Sequence, residues 1–257
     1  MRSVARFCVS PVKGMALHHP DAVELTTGGI AGNRRFYLVD ESGELYSTAD
    51  YEGLVRVHPT YDALAERLSL AFPDGSVAEG DANDLGDSAV TNFYGRPVPA
   101  REVRGPFGEA VSGLVGHRLR LLRTDREGDA SDVEPLTLVS EASVADLATR
   151  GRRTEPLDSR RFRMNIELAG CEPYDEDGWD GKTVRIGEAL VRVCGQVPRC
   201  VLTTLSPDTG RKDWDTLTQI AKFRPRIAGD GGLPFGVYAR VETPGRAAIG
   251  DDVVPTA

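Results

Sequence analysis

Short runs of Val, Leu, Ile, Phe and Tyr separated by turn residues recur along most of this chain, a pattern that predicts strands more often than helices. Val4–Val12 predicts a first strand running into a turn at Pro11. Arg35–Asp40 predicts a second, returning through Glu41-Ser42-Gly43-Glu44 as a hairpin over Leu45–Thr48. Leu68–Phe72 and Val77–Glu79 flank Pro73-Asp74-Gly75-Ser76, another hairpin signal. Val115–Leu122, Leu136–Val139, Asn165–Leu168, Thr183–Ile186, Leu190–Cys194, Val201–Leu205 and Val237–Glu242 continue the series. Helices are fewer. Glu141–Arg150 follows Ser140 as N-cap and stops at Gly151, and Asp215–Phe223 is a shorter segment ended by Pro225. This is a strand-dominated α+β pattern, expected to be barrel-like, without the strand–helix alternation of a doubly wound sheet. Pro97, Pro99, Gly105, Pro106 and Gly108 break up the region from 95 to 110 and mark a boundary, whereas Asp125–Glu134 reads as an acidic surface loop.

The 257 residues are 40% apolar and 27% charged, which excludes a mostly disordered or fibrous chain. Thirty-one Lys and Arg against 39 Asp and Glu give 31 − 39 = −8, a balance that argues against a general nucleic-acid binder but allows a local basic pocket. No apolar run reaches the roughly 18 residues of a membrane span, and Met1–Phe7 lacks the apolar core of a secretory signal, so a soluble cytoplasmic protein is expected. Cys8, Cys171, Cys194 and Cys200 are too scattered for a disulfide scaffold and contain no C-x-x-C pair. His18, His19, His58 and His117 form no metal-ligand pattern, so any metal is expected to arrive within an organic cofactor.

The chemistry-bearing segment is Gly195-Gln196-Val197-Pro198-Arg199-Cys200-Val201, which sets a thiol at a loop–strand junction beside a cation. Arg199 favours the thiolate, raising nucleophilicity and metal affinity, although a buried structural thiol is the commoner state of a cysteine. Three basic sites suit an anionic ligand: Lys13 before Gly14, Arg34-Arg35 after Asn33, and Arg160-Arg161-Phe162-Arg163 opening a strand. Strand alternation there sends Arg161 and Arg163 to the same face; taken singly, each cation is more often a solvated surface charge. Gly229–Gly236 fits neither a P-loop nor a dinucleotide-binding spacing and reads as a mobile loop or a flap.

Taken in order, these segments resemble the MOSC-domain family. The resemblance rests on Pro11-Val12-Lys13, Gly32-Asn33-Arg34-Arg35-Phe36 and Pro135-Leu136-Thr137-Leu138-Val139-Ser140. It continues through Arg161-Phe162-Arg163-Met164-Asn165, Arg199-Cys200-Val201-Leu202-Thr203-Thr204 and Phe235-Gly236-Val237-Tyr238. It implies an N-terminal β-barrel-like domain over 1–104 and a MOSC domain over 105–257, with a molybdenum cofactor between them. It also implies Cys200 as the thiolate on molybdenum. Lys13, Gly14, Arg34, Arg163, Asn165, Pro198 and Arg199 would then hold the pterin and its phosphate. The family pattern departs at Gly14 (usually serine), Asn33 (usually acidic), Met164 (usually proline) and Pro198 (usually a small hydroxyl).

The activity so implied is reduction of N-hydroxylated small molecules, the cofactor carrying the redox chemistry. The sequence contains no C-x₄-C-x₂-C run, so a separate electron-transfer protein of ferredoxin or flavin-reductase type is expected. Two alternatives use the same cysteine or cleft: a sulfur carrier bearing a Cys200 persulfide, and a cofactor-binding carrier without turnover.

Overall fold

The computed structural model describes residues 1–229 and 231–256. Its largest sheet runs in the order Ser3–Phe7, Ile166–Ala169, Leu136–Ser140, Leu233–Thr243, Ala189–Arg199, Thr183–Ile186 and Val253–Pro255, and it curls into a nearly closed barrel. Leu136–Ser140 and Ile166–Ala169 pair in parallel. A parallel pair needs a crossover, and helix Glu141–Arg150 provides it, its first turn capped by the Ser140 side chain. Alternating apolar residues such as Leu136, Leu138, Ile166, Leu168, Val191 and Val193 fill the barrel.

A second sheet runs Leu45–Tyr46, Phe36–Val39, Arg120–Thr124, Arg96–Val103 and Leu85–Phe93. Phe36, Leu38 and Leu121 from it pack with Leu68 and Leu70 of the sheet His58–Asp62, Arg67–Ala71 and Val77–Asp81. A small third grouping joins Gly245–Ala248, Ala22–Thr26 and Gly29–Ile30. Strand pairing crosses position 104 in both directions. Ser3–Phe7 lies in the large barrel sheet, and Arg120–Thr124 lies between Phe36–Val39 and Arg96–Val103.

The first strand is shorter than Val4–Val12. It ends at Phe7 after a bulge, and the continuation through Ala16 runs as a fully buried segment carrying Lys13. Phe107–Val115 is a helix where breakers were expected: Phe107 and Val111 face the core one turn apart, and Gly116 at φ 78° ends it. Pro97 and Pro99 belong to the strand Arg96–Val103, not to a break. Pairing with Arg120–Thr124 begins only at Ala100, so the missing N–H groups cost that ladder nothing. Arg160–Asn165 does not open as a strand: Ser159–Phe162 is a 3₁₀ turn and Arg163 sits at φ 51°. Val201–Thr204 is likewise a 3₁₀ turn. Within Gly229–Gly236, Asp230 lies outside the described residues, and Leu233–Gly236 begins a long strand.

Candidate functional site

The strand Ala189–Arg199 continues past Gly195, where φ is 88°, through ladder irregularities that bring Arg199 opposite Leu233. Cys200 follows at the point where strand becomes turn. Its carbonyl accepts from Thr203 N at 3.2 Å and Thr203 Oγ1 at 3.0 Å, closing the turn and leaving Cys200 the one exposed cysteine of the four. Arg161 braces this turn from behind. Its guanidinium donates to Thr203 O at 3.2 Å and to both Asp213 carboxylate oxygens at 3.0 Å, a two-pronged geometry that fixes the turn against the helix Thr216–Ala221 side.

Cys200 borders a cleft of about 480 Å³ where loops of the barrel and the second sheet meet. Arg34, Arg163 and Arg199 line it, with Lys13 just beneath. Lys13 Nζ donates to Ala130 O at 3.0 Å and to Asp132 Oδ1 at 2.5 Å, and Arg34 Nη1 donates to Asp132 Oδ2 at 3.2 Å. Arg163 Nη2 donates to Met15 O at 2.7 Å. Arg199 donates to Phe162 O and to Met164 Sδ, lies over the Phe162 ring at 5.5 Å, and keeps a buried Nε with no partner.

The electrostatics follow from crowding. Burial first, and then repulsion from Arg34, push Lys13 down to about 8 and Arg163 down to about 10. Burial likewise lowers Arg199, opposed by the neighbouring Cys200. At Asp132 burial alone would raise the pKa, but Lys13 and Arg34 overcome it and hold the carboxyl well below the usual range. Among the described residues Asp132 is the sole carboxylate in an ion pair with any of the four cations. The cleft therefore carries surplus positive charge in a low-dielectric setting, which an anionic ligand relieves.

Six of the residues expected to bind cofactor line this cleft: Arg34, Arg163, Asn165, Pro198, Arg199 and Cys200. Lys13 acts through Asp132 instead of facing the space directly. Gly14 shapes the turn: its φ is 88°, and a Cβ there would meet Thr48 Oγ1 at 3.0 Å. Asn165 has its amide committed, accepting from Thr137 Oγ1 at 3.0 Å and donating to Cys8 O at 3.4 Å. Arg161 and Arg163 both border the cleft, but the turn commits the Arg161 guanidinium to Asp213 and Thr203 O, whereas Arg163 donates to Met15 O.

Asp132 and Tyr94 escaped the sequence reading. Asp132 sits in what reads as an acidic surface loop, and its spacing does not distinguish it from its neighbours. It replaces the acidic partner that Arg34 lacks at Asn33; the buried Asn33 side chain instead accepts from Ser10 N at 3.0 Å. Tyr94 reaches the cleft from the hairpin tip between Leu85–Phe93 and Arg96–Val103. Partial desolvation of its phenol, and then the neighbouring Asp132 carboxylate, push its pKa up. Its one visible signal was a Tyr-Gly pair between two strand-like runs.

Comparison with known proteins gives a consistent picture. Residues 125–254 match the family model described as MOSC domain. The chain is 36% identical to mitochondrial amidoxime reducing component 2 of Homo sapiens over 98% of this chain and 82% of that protein. It is 28% identical to mitochondrial amidoxime-reducing component 1 of Homo sapiens over the same shares. It is 26% identical to molybdenum cofactor sulfurase of Oryza sativa subsp. japonica, over 91% of this chain but only 32% of that protein.

Proposed function

The chain belongs to the MOSC domain family, and on that premise we propose that it is a molybdenum-cofactor-dependent oxidoreductase that reduces N-hydroxylated or related N–O compounds. The observation that carries this reading is one exposed thiol, Cys200, at the edge of a cleft where Asp132 pairs with Lys13 and Arg34 while Arg163 and Arg199 have no ion pair among the described residues. Those residues suit the group. A soft thiolate matches a sulfur-rich metal centre, and the unpartnered Arg199 Nε, with Arg34 and Arg163, matches a phosphate-bearing pterin. The names of the mitochondrial relatives supply the substrate chemistry, and the sulfurase name supplies the cofactor.

When bound, the cofactor supplies two-electron oxygen-atom chemistry. The balance is R–NHOH + 2 e⁻ + 2 H⁺ → R–NH₂ + H₂O, with electrons from a separate electron-transfer protein of ferredoxin or flavin-reductase type. In this reading Cys200 presents its sulfur to the metal, and Arg163 and Arg199 orient the anionic end of the ligand. Asp132, clamped by Lys13, fixes Arg34. Phe162 and Met164 shield Arg199 from water, strengthening its pull on an anion.

The test is metal analysis of protein from a cofactor-competent host, paired with benzamidoxime reduction driven by an artificial donor. Molybdenum near one per chain that is lost in Cys200→Ser, together with loss of reduction, is the expected result. A metal-free protein whose properties Cys200→Ser leaves unchanged overturns the reading. The exposure of Cys200 and the sulfurase likeness also favour a second reading, persulfide transfer. It predicts a sulfur-sized mass gain on Cys200 after incubation with a cysteine desulfurase, removed by cyanide.

A further inference from the structure

Tyr94 and Gly95 form the two-residue loop of a hairpin in which Phe93 pairs with Arg96. Their φ values, 52° and 89°, are those of a type I′ turn. That turn favours Asn, Asp or Gly at its first position, and a bulky side chain there is strained. Core packing does not account for the choice, because Tyr94 is 74% exposed. The rest of the hairpin is firmly tied. Phe93 is buried edge-on to Tyr37 at 4.9 Å, and Gly95 N donates to Asn92 Oδ1 at 2.8 Å. Arg96 Nη2 donates to Asp129 O at 2.7 Å and Ser131 O at 2.8 Å, gripping the loop that carries Asp132. A well-anchored hairpin thus holds an unfavourable, exposed aromatic ring at the edge of the cleft. Val133, 62% exposed, lies on the same rim. The cleft is cationic within and apolar at its mouth.

We propose that Tyr94 is a specificity-determining residue: its ring is the face against which a planar, uncharged aromatic body of the substrate lies while the N–O group points toward Cys200. The inference rests on the reductase reading and names the kind of substrate that reading leaves open. With the cleft cations held by the cofactor, the substrate meets the exposed rim of Tyr94 and Val133, which suits an uncharged apolar body and disfavours a small, fully polar one. Such strain is found repeatedly at ligand-contacting positions, and here it coincides with the rim of the cleft.

The test uses the cofactor-loaded full chain, the variants Tyr94→Asn and Tyr94→Phe, and two probes, benzamidoxime and acetamidoxime. Binding is measured by calorimetry and kcat/KM by reduction. Tyr94→Asn is expected to weaken benzamidoxime binding about tenfold, to change acetamidoxime by less than about twofold, and to melt no lower than the parent, since Asn suits the turn. Tyr94→Phe is expected to keep the parental preference. Equal losses for both probes, no loss for either, or a parent that does not bind benzamidoxime overturns the proposal. A parent that binds benzamidoxime with this Tyr94 dependence but does not reduce it sinks the reductase reading alone. A parent that reduces both, with a ratio unmoved by Tyr94→Asn, sinks the Tyr94 assignment alone.

Discussion

Lys13 Nζ lies 2.5 Å from Asp132 Oδ1, joining the buried stretch after the first strand to the loop before Leu136–Ser140. The same carboxylate holds Arg34 through its other oxygen at 3.2 Å. Three segments that are far apart in the chain therefore meet at one side chain, and the positioning of Arg34 in the cleft depends on it.

Asp132→Asn leaves the Lys13 ammonium, 8% exposed, with a carbonyl in place of a charge partner. Breaking a fully buried pair costs about 3–5 kcal/mol; Asp132 is 43% open, so solvent screening brings the expected loss nearer to about 2 kcal/mol. The folded-state carboxyl is held below its ordinary value, so this stability is present at neutral pH and lost as pH falls through the folded-state pKa. Urea titrations at pH 7 and in strong acid check it: parent and variant differ at pH 7 and converge in acid. Equal stability at pH 7 contradicts the ion-pair account.

Lys13 makes an opposite-looking contribution at high pH. Its folded-state value is depressed from 10.5 to about 8, so between those values the unfolded chain binds the extra proton. Stability then rises with pH relative to a Lys13→Met variant, by about 3 kcal/mol across the window at about 1.4 kcal/mol per pH unit. Denaturant midpoints of both proteins from pH 7.5 to about 10.5 measure this, the comparison cancelling other titrating groups. A flat difference rules it out.

Arg161 is a structural brace for Cys200, not a ligand-binding cation. Arg161→Ala removes both contacts to Asp213 and one to Thr203 O. Because the Arg161 side chain is 1% exposed, a loss of about 3 kcal/mol is expected. Amide hydrogen exchange at Val201–Thr204 rises with it. Arg161→Lys restores charge without the fork and recovers only part of the loss.

The thiols differ in access. Cys8 is sealed, its pKa pushed far up by burial and then by Glu167; burial pushes Cys171 and Cys194 each up to about 11. Brief iodoacetamide treatment of the native protein at pH 8, read by mass spectrometry, labels Cys200 first and Cys8 only after unfolding. Prior labelling of Cys8 defeats this assignment.

Gly14→Ala forces a Cβ into the left-handed region and toward Thr48 Oγ1. The expected cost is about 1–2 kcal/mol, seen as a lower Tm, together with a shift of Lys13 detected as weaker phosphate binding. An unchanged Tm removes Gly14 from the list of turn-shaping residues.

Much of the fold was legible locally. The hairpin at 41–44 and the cap at Ser140 are set by residues within a few positions of one another, so pattern and propensity suffice; the strand expected at Leu190–Cys194 instead runs on to Arg199, and a turn, not a strand, follows Cys200. The helix Phe107–Val115 was hidden because Gly105, Pro106 and Gly108 read as breakers, whereas burial of Phe107 and Val111 outweighs the cost of Gly108 within the helix. Arg160–Asn165 misled for the converse reason: a strand-like pattern was overridden by a turn in which Asp158 caps Arg160 and Arg163 turns left-handed.

The sequence by itself determined that this is a strand-rich molecule with a thiol beside an arginine and several scattered cations; that the thiol is exposed came from the fold. Only the tertiary structure decided which cations converge, that Asp132 and not a neighbour of Arg34 supplies the countercharge, and that Tyr94 overhangs the cleft. The reason is physical. Local pattern governs dihedral preference and which face is apolar, but these contacts join residues about a hundred positions apart and depend on strand pairing and loop packing across the whole fold.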